Sequence, residues 1–269
     1  MCSAETRKNI DTLVAVQRLL AVDVGNTQTV LGLFDGENLV DRWRIATEGQ
    51  RTGDEIGLLV RGFVDPESLG GICLSSTVPP LVRSYQEFAA ELGGTPFLVV
   101  GPGVRTGVPI RYDDPREIGP DRIANAVAAA ARHGAPCIVV DFGTSTNFDV
   151  VSSDGEYVGG VLAPGIQISM DALFARAARL IGVHFAEPRM VIGKTTESAL
   201  QSGLVYGFAG QVDGIAERIR EELGDRAPVV ATGGLAELIA PHSQTIDRVD
   251  PDLTLHGLRL VWERNAVQA

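Results

Sequence analysis

The pattern of apolar and polar positions occurs twice in this 269-residue chain. Residues 18–30, RLLAVDVGNTQTV, run from a short apolar stretch into Asp23 and a glycine-containing polar cluster. Residues 137–151, CIVVDFGTSTNFDVV, have the same order, with Asp141 in the place of Asp23. A short apolar run that ends in such a cluster is typical of a buried strand followed by a tight turn.

Each copy continues into a second strand and a hairpin. The hairpins turn at Asp35-Gly36 in the first copy and at Asp154-Gly155 in the second. Asp-Gly between two apolar runs is a strong hairpin signal because both residues tolerate the backbone of a tight turn. The repetition predicts a duplicated domain rather than a chance resemblance between two turns.

The remaining periodicity completes two α/β halves. After the first hairpin, we expect a strand at 43–47, a helix at 52–64, a strand at 71–75, a helix at 81–92 and a strand at 96–99. Three antiparallel strands followed by helix, strand, helix and strand are typical of a ribonuclease-H-like half-domain. In the second half we expect helices at 166–180, 197–223, 235–240 and 253–264 and a strand at 227–231. The predicted division is an extension at 1–17 and half-domains at 18–134 and 135–269.

The first turn has the chemistry of a phosphate loop. Gly25 allows the backbone to come close to a ligand, and Asn26, Thr27 and neighbouring amides can donate hydrogen bonds to phosphate oxygens. Asp23 only accepts hydrogen bonds, so it suits a metal ion or a metal-bound water. An ordinary hairpin turn is the alternative for one copy alone, and the second copy favours a phosphate loop.

A predicted helix at 120–133 carries Asp121 and Arg122 in its first turn. Pro120 suits the first helical position. An acid in a first turn usually complements the helix dipole. Alternatively, Asp121 is a carboxylate base between the two phosphate loops and Arg122 binds an anion. The pattern by itself leaves both interpretations open.

The long helix at 197–223 carries small residues along one face. Each glycine costs roughly 1 kcal/mol of helix propensity relative to alanine, so a compensating contact is expected. The stripe therefore predicts close packing against another helix, either between the two domains or across a dimer axis. Its members are Ala199, Gly203, Gly207, Gly210 and Gly214.

Composition limits the classes of protein to which the chain can belong. The net charge of −11 disfavours a protein that binds nucleic acid through bulk electrostatics, although backbone amides could still bind a small anion. Three cysteines and four scattered histidines offer no metal or redox spacing, which is typical of a reducing compartment. We find no apolar run of membrane-spanning length and no signal peptide, so we expect a cytoplasmic α/β protein.

Five motifs in order resemble the type III pantothenate kinase family. They are DVGNT at 23–27, GPDR at 119–122, DFGT at 141–144, GKTT at 193–196 and TGG at 232–234. The resemblance covers nearly everything from Arg18 to Asn265. It implies membership of the acetate kinase, sugar kinase, Hsp70 and actin superfamily: an α/β fold of two duplicated ribonuclease-H-like (actin-like ATPase) domains, with a nucleotide cleft between them.

The resemblance also implies the roles of particular residues. Asp121 is the expected proton acceptor, and Asp141 is the expected ligand of a monovalent cation. The implied ATP contacts are Asp23, Val24, Gly25, Asn26, Thr27, Gln28, Thr29, Val30, Thr144, Gly233 and Gly234. The implied substrate contacts are Tyr112, Gly119, Pro120, Asp121, Arg122 and Thr196.

The implied activity is ATP-dependent phosphorylation of pantothenate, the first step of coenzyme A biosynthesis. The implied cofactors are Mg²⁺ with the ATP and K⁺ or NH₄⁺, and the implied assembly is a homodimer. One alternative is a non-catalytic transcriptional accessory factor, but such a regulator should show a basic face. Another is a kinase or phosphatase for a different small hydroxyl substrate, since a fold does not fix a function.

Overall fold

Two five-stranded mixed sheets with helices packed on them form the described part of the chain. The computed structural model describes residues 18–176 and 185–266. The strands are β1 (Arg18–Val24), β2 (Gln28–Asp35), β3 (Asn38–Ala46), β4 (Leu69–Ser76), β5 (Phe97–Val99), β6 (Cys137–Phe142), β7 (Ser145–Val151), β8 (Tyr157–Pro164), β9 (Val229–Thr232) and β10 (Ile246–Val249). The helices are α1 (Gly53–Arg61), α2 (Pro79–Glu91), α3 (Pro120–His133), α4 (Ile166–Arg176), α5 (Thr196–Leu223), α6 (Ala236–Ile239) and α7 (Leu253–Ala266).

The two sheets have the same strand order. The first runs β3-β2-β1-β4-β5 and the second runs β8-β7-β6-β9-β10. In each sheet the first three strands are antiparallel, and the last two are parallel to the central strand. This confirms the predicted fold of two duplicated halves. The predicted extension at 1–17 and the predicted end of α4 at 180 lie outside the described residues.

The sequence pattern did not predict β10. Its four residues, Ile246–Val249, are mostly exposed, so they lack the apolar run that identified the other strands. Main-chain pairing with β9 gives this segment its strand conformation. The strand was missed because its stability comes from a neighbour distant in sequence.

The central strand β1 is buried on both faces. Leu20 and Val22 point into a core formed with α1 and α2, whereas Leu19 and Ala21 point into a core shared with α3 and α7. Burial on two faces requires a continuous apolar run, and that is what the sequence shows. The start of α1 is fixed by a capping box between Thr52 and Glu55.

The α3–α7 helix pair joins the two halves. One continuous hydrophobic core contains Ala21 of the first sheet, Val139 of the second sheet and residues of both helices. A β-carbon on Gly257 of α7 would collide with the backbone of Ala124 in α3, so the two helices cross in close contact. Although α7 lies in the second half of the sequence, it packs against the first sheet, where the Trp262 ring covers Gly71.

Three glycines of α5 face open space among the described residues. A β-carbon at Gly203, Gly207 or Gly210 would have no heavy atom within 4 Å among the described residues. The described residues therefore do not show the packing between domains that was one of the two predictions. No helix in the described residues is long and apolar enough to cross a membrane.

We expect Gly257→Ala to destabilise the protein, although helix propensity alone predicts a gain of roughly 1 kcal/mol. The added methyl group would meet the backbone of Ala124, and overpacking of a tight core typically costs about 1–3 kcal/mol. Denaturant unfolding of the wild type and the variant measures the difference.

Gly49→Ala is the control for this prediction, because its β-carbon would make only an ordinary contact with Val78 at 3.5 Å. It should change the unfolding free energy by less than about 0.5 kcal/mol. A Gly257→Ala protein as stable as the wild type would show that α3 and α7 are not closely packed.

Candidate active site

The first phosphate-type loop connects β1 to β2. The Gly25 amide donates to the Gln28 carbonyl at 3.0 Å, which closes the turn and leaves Asn26, Thr27 and Gln28 exposed. Thr29 is buried, and its hydroxyl pairs with that of Thr47 at 2.8 Å. The exposed residues are therefore available to a ligand, whereas Thr29 holds the loop against β3.

The second loop faces the first across the cleft. It connects β6 to β7, and the Gly143 amide closes it by donating to the Ser145 carbonyl at 3.0 Å. The hydroxyls of Thr27 and Thr144 lie 3.4 Å apart, although 117 positions separate them in sequence. The structure thus brings the two predicted loops together at one place between the sheets.

Asp121 lies in the first turn of α3, beside these loops. Its Oδ1 is buried and has no hydrogen-bond partner in the described part of the chain. Burial raises the pKa of Asp121 above its usual value, although the neighbouring Arg122 opposes this rise. A β-carbon on Gly119 would collide with Asp121 Oδ1, so a larger residue before the helix would displace this carboxylate oxygen.

Asp23 and Asp141 occupy equivalent positions in the two halves, and the negative charge of Asp121 acts on both. Burial, with a smaller contribution from the charge of Asp121, raises the pKa of Asp23 to about 8 against the opposing effect of Ser75. Burial raises the pKa of Asp141 to about 7, again with a contribution from Asp121. Buried carboxylates that repel one another favour bound cations or protons.

The residues around Asp141 fit a cation held by oxygen ligands. Asn147 is its partner across the β6–β7 pair, and the Asn147 Oδ1 is buried without a hydrogen-bond donor. Over the described ranges, no three His, Cys, Asp or Glu side chains converge on one metal position. A cation here would therefore combine a carboxylate with amide or ligand oxygens.

A hydrogen-bonded chain links Asp141 to the C-terminal helix. Asn125 Nδ2 donates to Asp141 Oδ2 at 3.1 Å, and Thr254 Oγ1 of α7 donates to Asn125 Oδ1 at 2.7 Å. The sequence analysis missed Asn125 and Thr254. The signal available was a single asparagine among the alanines of α3, and nothing in the sequence pointed to Thr254.

A buried ion pair anchors Arg122. Its Nε donates to Asp149 Oδ1 at 2.7 Å, and the two side chains are 8% and 0% exposed. Tyr157 donates its hydroxyl to the same oxygen at 3.0 Å. Asp149 and Tyr157 were missed. The available signal for Asp149 was an acid within an apolar strand, which a buried cation must compensate.

The other predicted residues divide into two groups. The Tyr112 ring lies 6.3 Å from that of Tyr157, the residue that also contacts Asp149. Gly233, with φ +90°, brings the TGG turn against Asp141 Oδ1. Thr196 differs: it is exposed at the start of α5, after the helix cap Thr195, and no hydrogen bond of the described residues joins it to Asp121.

Arg44 of β3 is a further residue that the sequence analysis missed. Its Nη1 lies 3.3 Å from the position of a β-carbon on Gly234, so this side chain of the first sheet reaches the TGG turn of the second. An alternating exposed strand offered no signal, because the contact depends on how the two halves face each other.

Taken together, the duplicated sheets and the two facing loops define an actin-like kinase fold. Structures of this class match the chain at low sequence identity and so support the fold alone. An ATP-glucomannokinase from Arthrobacter has a TM-score of 0.51 and 14% identity over 94% of this chain and 100% of that one. A candidate Baf family transcriptional activator from Campylobacter jejuni has a TM-score of 0.59 and 19% identity over 92% and 99%.

The chain belongs to the type III pantothenate kinase family, whose model matches residues 19–218. A relative of that description from Acidothermus cellulolyticus is 57% identical over 92% of this chain and 98% of its own length. Another from Moorella thermoacetica is 53% identical over 92% and 99%. The predicted family is confirmed, and the chain is an enzyme of this family.

We expect the stability of the cation-free protein to fall as the pH rises from 6.5 to 8.5. Asp23 and Asp141 have pKa values of about 8 and about 7 in the folded state, far above the ordinary 3.8. The folded protein therefore holds protons that the unfolded chain has already released, and its unfolding free energy decreases with pH. Thermal unfolding in chelator-treated buffer with an organic cation measures the change in Tm.

Asp23→Asn should flatten this pH dependence because it removes the group with the higher pKa. Asp154→Asn, at the exposed turn between β7 and β8, should leave the dependence unchanged. A Tm that increases between pH 6.5 and 8.5 in the wild type would contradict the assignment of raised pKa values to these carboxyls.

Proposed function

We propose that the protein transfers the γ-phosphoryl group of ATP to the primary hydroxyl of pantothenate, forming 4'-phosphopantothenate in the first step of coenzyme A biosynthesis. Membership of the family supports this substrate. The observation that carries the reaction type is the buried, unpartnered Oδ1 of Asp121, adjacent to the charges of Asp23 and Asp141.

In the proposed reaction Asp121 is the general base. Its free carboxylate oxygen accepts the hydroxyl proton of the acceptor as that oxygen attacks the γ-phosphorus. The bond between the γ-phosphorus and the bridging oxygen of ADP breaks, and ADP leaves with that electron pair. A carboxyl whose pKa is raised by burial holds the transferred proton more readily than an exposed one.

The two loops form the proposed ATP side of the cleft. Asn26, Thr27 and Thr144 are exposed and face one another, so their hydroxyl, amide and backbone groups can donate to phosphate oxygens. The turn at Gly233 and Gly234 would receive the adenosine. Phosphoryl transfer depends mainly on positioning and charge stabilisation, which this arrangement supplies without a P-loop lysine.

Asp23 would hold the Mg²⁺ of the nucleotide, and Asp141 would hold K⁺ or NH₄⁺. The raised pKa values and the unpartnered Asn147 Oδ1 fit positive charge at these two positions. When bound, the cations neutralise the charge of the phosphates and of the transferred group. The GPDR segment, with Arg122 and the nearby Tyr112, would form the pantothenate side.

We expect the purified wild type to form phosphopantothenate from pantothenate in the presence of ATP, Mg²⁺ and K⁺ or NH₄⁺. Asp121→Asn should lower kcat by about 10²–10⁴-fold, since a positioned base contributes that much. A coupled assay of ADP release, with mass spectrometry of the product, measures both.

Unchanged thermal unfolding and ATP binding would show that the Asp121→Asn variant is folded. Turnover close to that of the wild type would mean that Asp121 only complements the helix dipole. A wild type that is inactive on pantothenate but active on another alcohol in an acceptor panel would replace the proposed substrate.

We also propose a homodimer in which a second copy covers the glycine face of α5. Two features support this assembly. The β-carbon positions of Gly203, Gly207 and Gly210 are open, and the nearby segment 190–192 exposes three apolar side chains, each at least 65% accessible. Small residues on a helix face allow the closest approach of a second helix, which offsets their poor helix propensity.

Gly207→Arg should convert the dimer to a monomer, because the larger side chain fits the isolated chain and collides only with a partner. Light scattering coupled to size-exclusion chromatography measures the mass. Gly101→Arg, at another open position, is the matched control and should remain dimeric. A dimeric Gly207→Arg protein would place the interface elsewhere.

A further inference from the structure

The buried carboxylate of Asp149 has no role in the reaction described above. It lies on β7, on the face that points toward α3, and its side chain is 0% exposed. Burial raises the pKa of this carboxyl to about 6, and Arg122 opposes the rise. A charge buried in an apolar sheet is costly, so Asp149 needs a charged or hydrogen-bonding partner.

Asp149 contacts the Arg122 guanidinium only at Nε. Nε is the only guanidinium nitrogen of Arg122 that makes a hydrogen bond within the described residues, and its acceptor is Asp149 Oδ1 at 2.7 Å. The two terminal nitrogens, Nη1 and Nη2, make no hydrogen bond to this part of the chain. A guanidinium fixed at Nε presents this pair to a planar anion in the geometry that suits a carboxylate.

Tyr157 contacts both members of this ion pair. Its hydroxyl donates to Asp149 Oδ1 at 3.0 Å, and the guanidinium carbon of Arg122 lies 6.0 Å from the centre of its ring. The backbone of Gly160 lies beside the Arg122 guanidinium. A β-carbon there would collide with the carbonyl of Phe148 and would lie 3.0 Å from Arg122 Nη2, so the guanidinium passes over bare backbone.

We propose that Asp149 is a positioning residue that orients Arg122, so that its two terminal nitrogens bind the carboxylate of the acceptor substrate. In this arrangement Arg122 binds the carboxylate end of the acceptor, and the other end presents its hydroxyl to Asp121. This assignment rests on the proposed function and deepens it by naming the group that orients Arg122.

The test compares two acceptors in wild type and Asp149→Asn. One acceptor is pantothenate, and the other is its primary carboxamide, which has the same shape without the negative charge. Asp149→Asn should raise KM for pantothenate by about 10–100-fold, the loss expected for a charge-assisted contact. KM for ATP and kcat should stay within about threefold, and KM for the carboxamide should be the same in both proteins.

Two further variants make the result decisive. Tyr157→Phe keeps the ring but removes the hydroxyl, and it should raise KM for pantothenate several-fold without affecting the carboxamide. Asp154→Asn, an exposed acid on the hairpin between the same two strands, is the matched control and should behave like the wild type. If Asp149→Asn does not fold, Tyr157→Phe decides the question.

Equal losses for both acceptors would show a purely structural role for Asp149 and would overturn the proposal, as would an unchanged KM for pantothenate. Absence of phosphopantothenate from the wild type counts against the proposed function instead. Calorimetric binding of pantothenate, without turnover, then tests Asp149 by itself: equal affinity in the wild type and both variants, or no binding to any of them, would overturn the proposal.

Discussion

The desolvation of three neighbouring carboxylates is the constraint on which the site depends. Asp23 and Asp141 end the central strands of the two sheets, and Asp121 begins the helix between them. Burial raises the pKa values of all three, and the charge of Asp121 adds to the rise for Asp23 and Asp141. Positive charge between these acids would offset the cost of their desolvation.

The same constraint explains the polar network that surrounds the cleft. Asn125 and Thr254 brace Asp141, while Arg122 and Tyr157 brace Asp149. Each brace comes from an element other than the one that carries the acid, and its hydrogen bonds offset part of the cost of burying that acid. The α3–α7 crossing supports both braces, because α3 carries Arg122 and Asn125 and α7 carries Thr254.

Much of the fold could be predicted because its signals are local. The apolar run before Asp23 and its copy before Asp141 identify the two central strands, and Thr52 and Glu55 identify the start of α1. The strand β10 could not be predicted, since its stability comes from pairing with β9. The residues Asp149, Tyr157 and Arg44 were missed for a related reason: each acts on a residue at least eight positions away, across a sheet or a cleft.

The sequence by itself determined the duplicated α/β architecture, the two phosphate-type turns and the family, since each depends on residues close together in the chain. Only the tertiary structure decided that Asp121 has a buried, unpartnered oxygen, that Arg122 is held by Asp149, and that Gly203, Gly207 and Gly210 of α5 face open space among the described residues. Burial and long-range pairing set the charge and orientation of these groups. The sequence shows which residues are present, but only the packing of the two halves against each other determines which of them are in contact.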